Sequence, residues 1–267
     1  MKKSFTILVL LLTCFFVRNA NAQCSGNVYI PDVNFKAALV ATPGIDTNGD
    51  NEIQCSEAAA WTGTIDVSIK SISNLTGIEA FTNITSLICK NNSLIGLDVS
   101  HNTALTLLNC ASNSLKSLDV SLNTSLTTLT CYSNSLTSLN VTANTALTSL
   151  YCDNNSISSL NVSANTALHD LKCQSNLLTS LNVSSNTALT SLFCSKNSLM
   201  SLDVSANTYL EYLVCDNNSL SSLDVHLNIV LTDFECSSNS LSSLDVSGDC
   251  KSDCVNRIFK VCICLQR

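Results

Sequence analysis

The chain has 267 residues, a formal net charge of −7, and only 5% aromatic and 12% charged residues. Apart from Lys2 and Lys3, its thirteen lysines and arginines are scattered singly. Because binding to nucleic-acid phosphates needs clustered positive charge, we expect no nucleic-acid partner. An acidic, sparsely charged surface suits cations, neutral glycans or basic protein patches instead. A composition this far from average globular usage indicates a repeat.

Residues 1–22 have the organisation of a secretory signal peptide. Two lysines precede an apolar stretch at 5–17, and Ala-Asn-Ala at 20–22 is a small-x-small cleavage pattern. Cleavage would leave 10 basic and 20 acidic residues, or a charge of −10, because the segment carries three basic residues and no acid. The alternative is a lipoprotein modified at Cys14, for which Thr13 is an unfavourable preceding residue. No later apolar run reaches about 18 residues, so we expect no membrane span and a secreted or cell-surface protein.

The remaining chain is dominated by a 21-residue period. Each copy has a cysteine with an apolar residue two positions before it and an asparagine three positions after it, and these cysteines are Cys89, Cys110, Cys131, Cys152, Cys173, Cys194, Cys215 and Cys236. A second apolar position lies two residues before a valine, at Leu97, Leu118, Leu139, Leu160, Leu181, Leu202, Leu223 and Leu244. The pattern predicts eight coils over residues 84–249.

The unit reads LxxLxCxxNxLxxLDVSxNTA, as in residues 105–125, where Ser125 takes the last position. It resembles the leucine-rich repeats, and specifically the 21-residue nested bacterial class in which two halves share one coil. The resemblance implies a leucine-rich-repeat solenoid that is mainly β, with short parallel strands stacked coil on coil in two strand columns and a small helical N-terminal cap.

Elementary strand geometry agrees with this fold. Along 149–153, alternation points Leu150 and Cys152 inward and the other three side chains outward, and one coil can bury its inward face only against its neighbours. The asparagines that follow the cysteines, and a second set from Asn102 to Asn228, fall where the chain must turn, so we expect two structural ladders.

We also expect the column cysteines to be free, buried thiols. In-register Cβ atoms lie about 4.8 Å apart, whereas a disulfide needs about 3.8 Å. Cysteine then acts as a small apolar filler. The alternative is a stacked thiolate metal site.

Outward positions beside the cysteines differ from coil to coil, whereas those on the valine side barely change. The candidate ligand-binding face consists of Thr130, Tyr132, Tyr151, Asp153, Asp170, Lys172, Gln174, Phe193, Tyr212, Asp216, Asp233 and Glu235. Its large side chains interrupt a surface of Ser, Thr and Asn, and tyrosine and phenylalanine provide much contact area. The resemblance implies the same face, since leucine-rich repeats usually bind partners there. The alternative is ordinary surface variation.

Residues 23–83 lie outside the repeat, and we expect them to cap the solenoid. Asp32 is a candidate N-cap for a helix over 33–41, which Pro43-Gly44 ends, and a second short helix is predicted at 56–61. Cys24 and Cys55 are the candidate disulfide.

The segment 46–57 between these helices resembles an EF-hand or dockerin-type calcium loop. The matching ligand positions are Asp46, Asn48, Asp50, Glu52 and Glu57, with Glu52 contributing its backbone carbonyl. Asn51 replaces the usual glycine of the sharp turn, and asparagine tolerates that conformation. The resemblance implies one weakly bound calcium ion. The alternative is a simple turn.

Residues 250–267 form a Cys-rich tail that is either a disulfide-bonded end cap or a truncated end. We find no catalytic constellation, because His101, His169 and His226 fall in different coils without a nucleophile at fixed spacing. We therefore expect no enzyme but a monomeric binding module or adhesin that recognises a protein or glycan. The alternative is a structural spacer in a larger surface protein.

Overall fold

A computed structural model describes residues 24–247. The predicted signal peptide at 1–22 and the tail at 250–267 lie outside the described residues, as do the last two residues of the predicted repeat region.

The described chain begins with two short helices and continues as a stack of short parallel strands. Its elements are α1 (Val33–Val40), α2 (Cys55–Ala60), β1 (Thr64–Asp66), a 3₁₀ turn (Ile78–Ala80), β2 (Ser86–Ile88), β3 (Leu107–Asn109), β4 (Thr128–Thr130), β5 (Ser149–Tyr151), β6 (Asp170–Lys172), β7 (Ser191–Phe193), β8 (Tyr212–Val214), β9 (Ser222–Asp224), β10 (Asp233–Glu235) and β11 (Ser243–Asp245). Nine strands form one sheet in the order β1-β2-β3-β4-β5-β6-β7-β8-β10, and β9 pairs with β11. The solenoid fold predicted from the repeat is confirmed.

The core is a set of apolar columns that run through the stack. Leu108, Leu129 and Leu150 pair in exact succession between parallel strands, and all three are fully buried. The cysteine and valine positions form similar buried columns, with Cys110 and Val120 as examples. Each coil therefore covers the apolar edge of its neighbour, which one isolated coil could not do.

The sheet begins one coil earlier than the sequence boundary at residue 84. Strand β1 pairs in parallel with β2, and Ile65 and Val67 occupy the inward positions that leucine and cysteine take in later coils. This coil escaped recognition because it has no cysteine and has Lys70 where the repeat has asparagine. Asn92 of the next coil accepts from the Lys70 amide at 3.1 Å and holds the turn.

The second strand column differs from the expectation, because only β9 and β11 pair as strands on the valine side. A local bond follows in the coils with and without strand pairing: the Ser121 amide donates to Asp119 Oδ1 at 2.9 Å, and the His226 amide donates to Asp224 Oδ1 at 2.9 Å. The bond from Ser121, made within one coil, lowers the pKa of Asp119. The Asp and Asn row thus shapes an Asx turn in every coil.

Asparagine ladders join the coils at both corners, as predicted. At the first corner, Asn134 Nδ2 donates to the carbonyls of Cys110 and Cys131, each at 3.1 Å, and Asn134 Oδ1 accepts from the Leu115 amide at 3.0 Å. One side chain therefore binds its own coil and the preceding coil. At the second corner, the fully buried Asn165 donates to Val141 O at 2.9 Å and Asn144 O at 2.8 Å.

Loss of a second-corner asparagine should destabilise the fold strongly. We expect Asn165→Ala to lower the free energy of unfolding by about 2–3 kcal/mol, because two buried hydrogen bonds between coils disappear. Asn161→Ala, in the same coil, removes only an exposed bond from the Ser163 amide and should cost less than about 1 kcal/mol. Urea denaturation followed by circular dichroism measures both, and equal losses would contradict the assigned role of the ladder.

The eight column cysteines are free and buried, as predicted. Burial raises the pKa of Cys110 and of Cys173 to about 12, from an ordinary value of 9.0. The folded core therefore keeps these thiols neutral and apolar at physiological pH.

These pKa shifts make the fold sensitive to alkali. Below about pH 9 both states hold the thiol protons, whereas between about pH 9 and 12 only the unfolded chain releases them, so stability should fall as pH rises through this window. Each such thiol contributes up to about 1.4 kcal/mol per pH unit. Urea midpoints measured from pH 7 to 10 should fall less steeply for Cys110→Ala/Cys173→Ala than for the unchanged chain. Parallel curves would show that the thiols are not responsible.

The N-terminal cap is held to the first coils by hydrogen bonds and a disulfide. Asp32 Oδ1 accepts from the Asn34 and Phe35 amides at 3.0 Å, which confirms it as the N-cap of α1. Its Oδ2 accepts from the Ser73 amide at 2.8 Å. Burial alone would raise the pKa of Asp32, but these hydrogen bonds stabilise the carboxylate and lower its pKa overall. The disulfide Cys24–Cys55, with Cα atoms 5.5 Å apart, joins the start of the described chain to α2.

Candidate ligand-binding face

The candidate face is the outward surface of the main sheet. It is built from positions one and three before each column cysteine, which strand alternation turns away from the core, and from the position after it. Parallel pairing brings equivalent positions together, so that Tyr151, Lys172 and Phe193 stand side by side on β5, β6 and β7. The sheet thus presents residues from successive repeats as continuous rows.

Most of the predicted site residues lie on this surface with part of the side chain accessible. Tyr212 and Asp233 are exposed, Tyr212 to 40%. The half-buried residues are Tyr132, Tyr151, Asp170, Lys172, Gln174, Phe193, Asp216 and Glu235. The structure therefore brings these side chains onto one face, although they are spread over more than a hundred residues of sequence.

Thr130 and Asp153 differ from the prediction that they face a ligand, because they are only 7% and 8% exposed. Both are short side chains in rows with longer neighbours, Tyr151 beside Thr130 and Gln174 in the coil after Asp153. Burial also raises the pKa of Asp153, whose carboxylate accepts from Asn154 Nδ2 at 2.7 Å. These two residues support the face and offer little surface to a ligand.

Lys172 lies between two aromatic rings of adjacent strands. Its Nζ is 5.0 Å from the centre of the Tyr151 ring and 5.2 Å from the centre of the Phe193 ring. A cation at this distance over an aromatic ring is held by the negative ring face. The sequence analysis named the three residues but missed their interaction, which alignment of the repeats by their cysteines would have revealed.

Negative charge on the face increases towards its C-terminal end. Asp216, Asp233 and Glu235 lie there, whereas the outward positions of β2, β3 and β4 carry no charged side chain. Ser195 Oγ donates to Asp216 Oδ1 at 2.5 Å, and Asn217 binds the other oxygen of the same carboxylate. Asp216 is therefore engaged within the protein.

The three histidines lie in different coils and contact residues close to them in sequence, and His101 Nδ1 lies 3.2 Å from Ser100 Oγ. His169 bonds to the carbonyl of Ala167 at 2.8 Å and not to the neighbouring Asp170, and His226 pairs with Asp224 at 2.6 Å. Asp224, His226 and Asp245 form the single described group of three metal-ligating side chains with donor atoms within 4.8 Å of one another. They lie on the valine side, away from the candidate face: Asp224 is on β9, Asp245 is on β11, and His226 is two residues after β9.

The segment 46–57 has part of the geometry of a calcium loop. Asn51 has a φ of 62°, so it adopts the left-handed conformation expected at the glycine position. Asp46 accepts from the amides of Gly49 and Asn51 at 2.8 and 3.0 Å, which closes the turn.

The other ligand candidates of this loop already have partners in the protein. Asp50 accepts from the Glu52 amide at 2.9 Å, and Asn48 Oδ1 accepts from the Asp50 amide at 3.0 Å. The side chain of Glu52 pairs with Lys36. Glu57 accepts from the amides of Thr47 and Gln54 at 2.7 and 2.9 Å, which completes a capping box for α2. The donor atoms are hard oxygens, but Glu57 would have to leave these bonds to bind a cation.

Within the described part of the chain, no helix combines the length and apolar character required to cross a bilayer.

Stacked parallel strands, asparagine corners and a column of buried free cysteines define a leucine-rich-repeat solenoid with a cysteine ladder. No protein-family model matches the chain. The chain is similar to a structure described as the functional domain of InlJ from Listeria monocytogenes, which includes a cysteine ladder: identity is 39%, the TM-score is 0.67, and 82% of this chain and 53% of that chain are covered.

Two further similarities agree with this class. Internalin J of Listeria monocytogenes is 42% identical over 79 residues, which cover 30% of this chain and 8% of that protein. The structure of internalin C2 from the same species has a TM-score of 0.63 at 22% identity, with 89% of this chain and 95% of that chain covered, and supports the fold alone. The chain thus spans about half of the InlJ structure and a small part of full internalin J.

Proposed function

We propose that the chain is a secreted or surface-displayed binding module that recognises a protein or glycan through the outward face of its main sheet. The observation that carries this proposal is the asymmetry of the solenoid. Large, varied side chains such as Tyr151, Phe193 and Tyr212 collect on one face, while the valine side repeats Asp or Asn and Ser or Thr for Asx turns. A repeated scaffold on one side and variation on the other is the arrangement of a recognition surface.

The rigidity of the face also favours binding. Its strands are fixed by in-register pairing and by asparagine bonds between coils, so little conformational entropy is lost when a partner docks. Similarity to the InlJ domain supports a module of this kind. The proposal includes no enzymatic activity. Ser100 Oγ does contact His101 Nδ1 at 3.2 Å, but this contact joins two neighbouring residues on the valine side, away from the candidate face.

Removing the aromatic side chains should weaken recognition strongly. We expect Tyr151→Ala/Phe193→Ala/Tyr212→Ala to weaken binding of a ligand, found on a protein and glycan array, by at least about tenfold, because aromatic anchors dominate interface energies. The matched control is Ile95→Ala/Leu122→Ala/Met200→Ala, which removes side chains that are 76%, 56% and 65% exposed elsewhere. Equal affinity of the unchanged chain and the aromatic variant would favour a structural spacer.

We also propose that the segment 46–57 binds one calcium ion weakly and stiffens the cap. Support comes from its oxygen-rich spacing and from the left-handed Asn51. Displacement of the Glu57 hydrogen bonds would reduce the affinity, which we place at about 10⁻⁴ to 10⁻³ M.

Calorimetry tests the calcium site directly. Titration of the chain with calcium should give heat of binding and a rise in melting temperature, and Asp46→Ala should lose both. Asp66→Ala, which removes an exposed acid outside the loop, is the control for charge. The same response from the unchanged chain and from Asp46→Ala would show that the segment 46–57 does not bind calcium.

A further inference from the structure

Tyr212, Asp233 and Glu235 lie together at the C-terminal end of the candidate face. Strands β8 and β10 pair with Tyr212 opposite Asp233 and Val214 opposite Glu235. Because parallel neighbours are about 4.8 Å apart, the side chains of Tyr212 and Asp233 leave the sheet from adjacent positions on the same side. Glu235 supplies a second carboxylate two residues after Asp233 on β10.

Both carboxylates are available to a partner. Tyr212 and Asp233 are exposed and Glu235 is half-buried. The ion pairs between described residues are Lys36–Glu52 and His226–Asp224, so neither Asp233 nor Glu235 is paired with a described cation. The described part of the chain also contains no arginine, since the three arginines of the sequence are Arg18, Arg257 and Arg267.

The same face shows how it accommodates a cation. Lys172 lies between the rings of Tyr151 and Phe193, so the chain's own ammonium group occupies those two rings. No described lysine lies over Tyr212, whose neighbour in register is a carboxylate and not a cation. Tyr212 therefore offers an aromatic ring without a cation of the described residues over it. A partner can supply a cation that contacts this ring.

We propose that Tyr212, Asp233 and Glu235 form a subsite for an arginine side chain presented by a protein partner. This inference rests on the proposed function and narrows the ligand to a protein with a basic patch. A guanidinium is planar, so it stacks on the phenol ring while its N–H groups donate to a carboxylate. A lysine ammonium supplies charge without the plane, and a neutral glycan supplies no charge.

The probe is a fluorescein-labelled Gly-Arg-Gly-Arg-Gly peptide, with a Gly-Lys-Gly-Lys-Gly peptide for comparison. Fluorescence anisotropy in about 0.15 M salt measures binding to the full chain, with long-range attraction screened. We expect Asp233→Asn/Glu235→Gln to weaken binding of the arginine peptide about tenfold. Asp98→Asn/Asp119→Asn removes the same charge from the valine side and should change it less than about twofold.

Tyr212 supplies the second arm of the test. The chain should bind the arginine peptide more tightly than the lysine peptide, and Tyr212→Ala should remove this preference while Tyr212→Phe retains it. Absence of peptide binding, equal affinity for both peptides, or equal losses in the two charge-removing pairs would overturn the subsite.

These outcomes distinguish failure of the subsite from failure of the proposed function. A macromolecular ligand that is lost on removal of the aromatic side chains but retained by Asp233→Asn/Glu235→Gln would leave the function standing and overturn the arginine subsite. Selective peptide binding would support the subsite even where the array yields no ligand.

Discussion

Lateral registration of the coils is the constraint on which this structure depends. An asparagine such as Asn134 can bind carbonyls of its own coil and of the preceding coil only when equivalent residues lie side by side. The leucine, cysteine and valine columns impose the same condition, because a shifted coil would place polar side chains against apolar ones. Hydrogen bonding and apolar burial therefore select the same period, and this agreement explains why the length of the repeat is so constant.

The two sides of the solenoid have different roles because the coils must stay in register. On the valine side, Asp119 and its equivalents are engaged in local turns, so their chemistry is determined by folding. Outward positions beside the cysteines carry no duty that repeats in every coil, although Asp153 and Asp216 bond to neighbouring side chains, because pairing of the main sheet uses backbone atoms alone. Tyr151, Lys172 and Phe193 can differ in type without disturbing the strands that hold them, and a recognition surface can develop there.

Sequence reasoning reached the features that repeat and missed those that depend on particular neighbours. The inward cysteines and both rows of corner asparagines were predictable because they recur every 21 residues. The N-cap Asp32 was predictable because aspartate is a preferred residue at the start of a helix. The coil around Ile65 was missed because its apolar pattern survives without the cysteine and asparagine that mark the others. Burial of Asp153 could not be predicted from alternation, since it depends on the sizes of side chains in adjacent coils.

The contact of Lys172 with two aromatic rings is intermediate between the features that the repeat predicts and those that it does not. It depends on particular residues, but aligning the copies by their 21-residue period places these residues side by side. Tyr151, Lys172 and Phe193 belong to three consecutive units, and each unit meets its neighbours through nearly the same contacts. Duplication or deletion of a whole unit in the gene would therefore create no new kind of junction. It would instead lengthen, shorten or reorder the rows of exposed side chains, so that new combinations arise by recombination as readily as by point mutation.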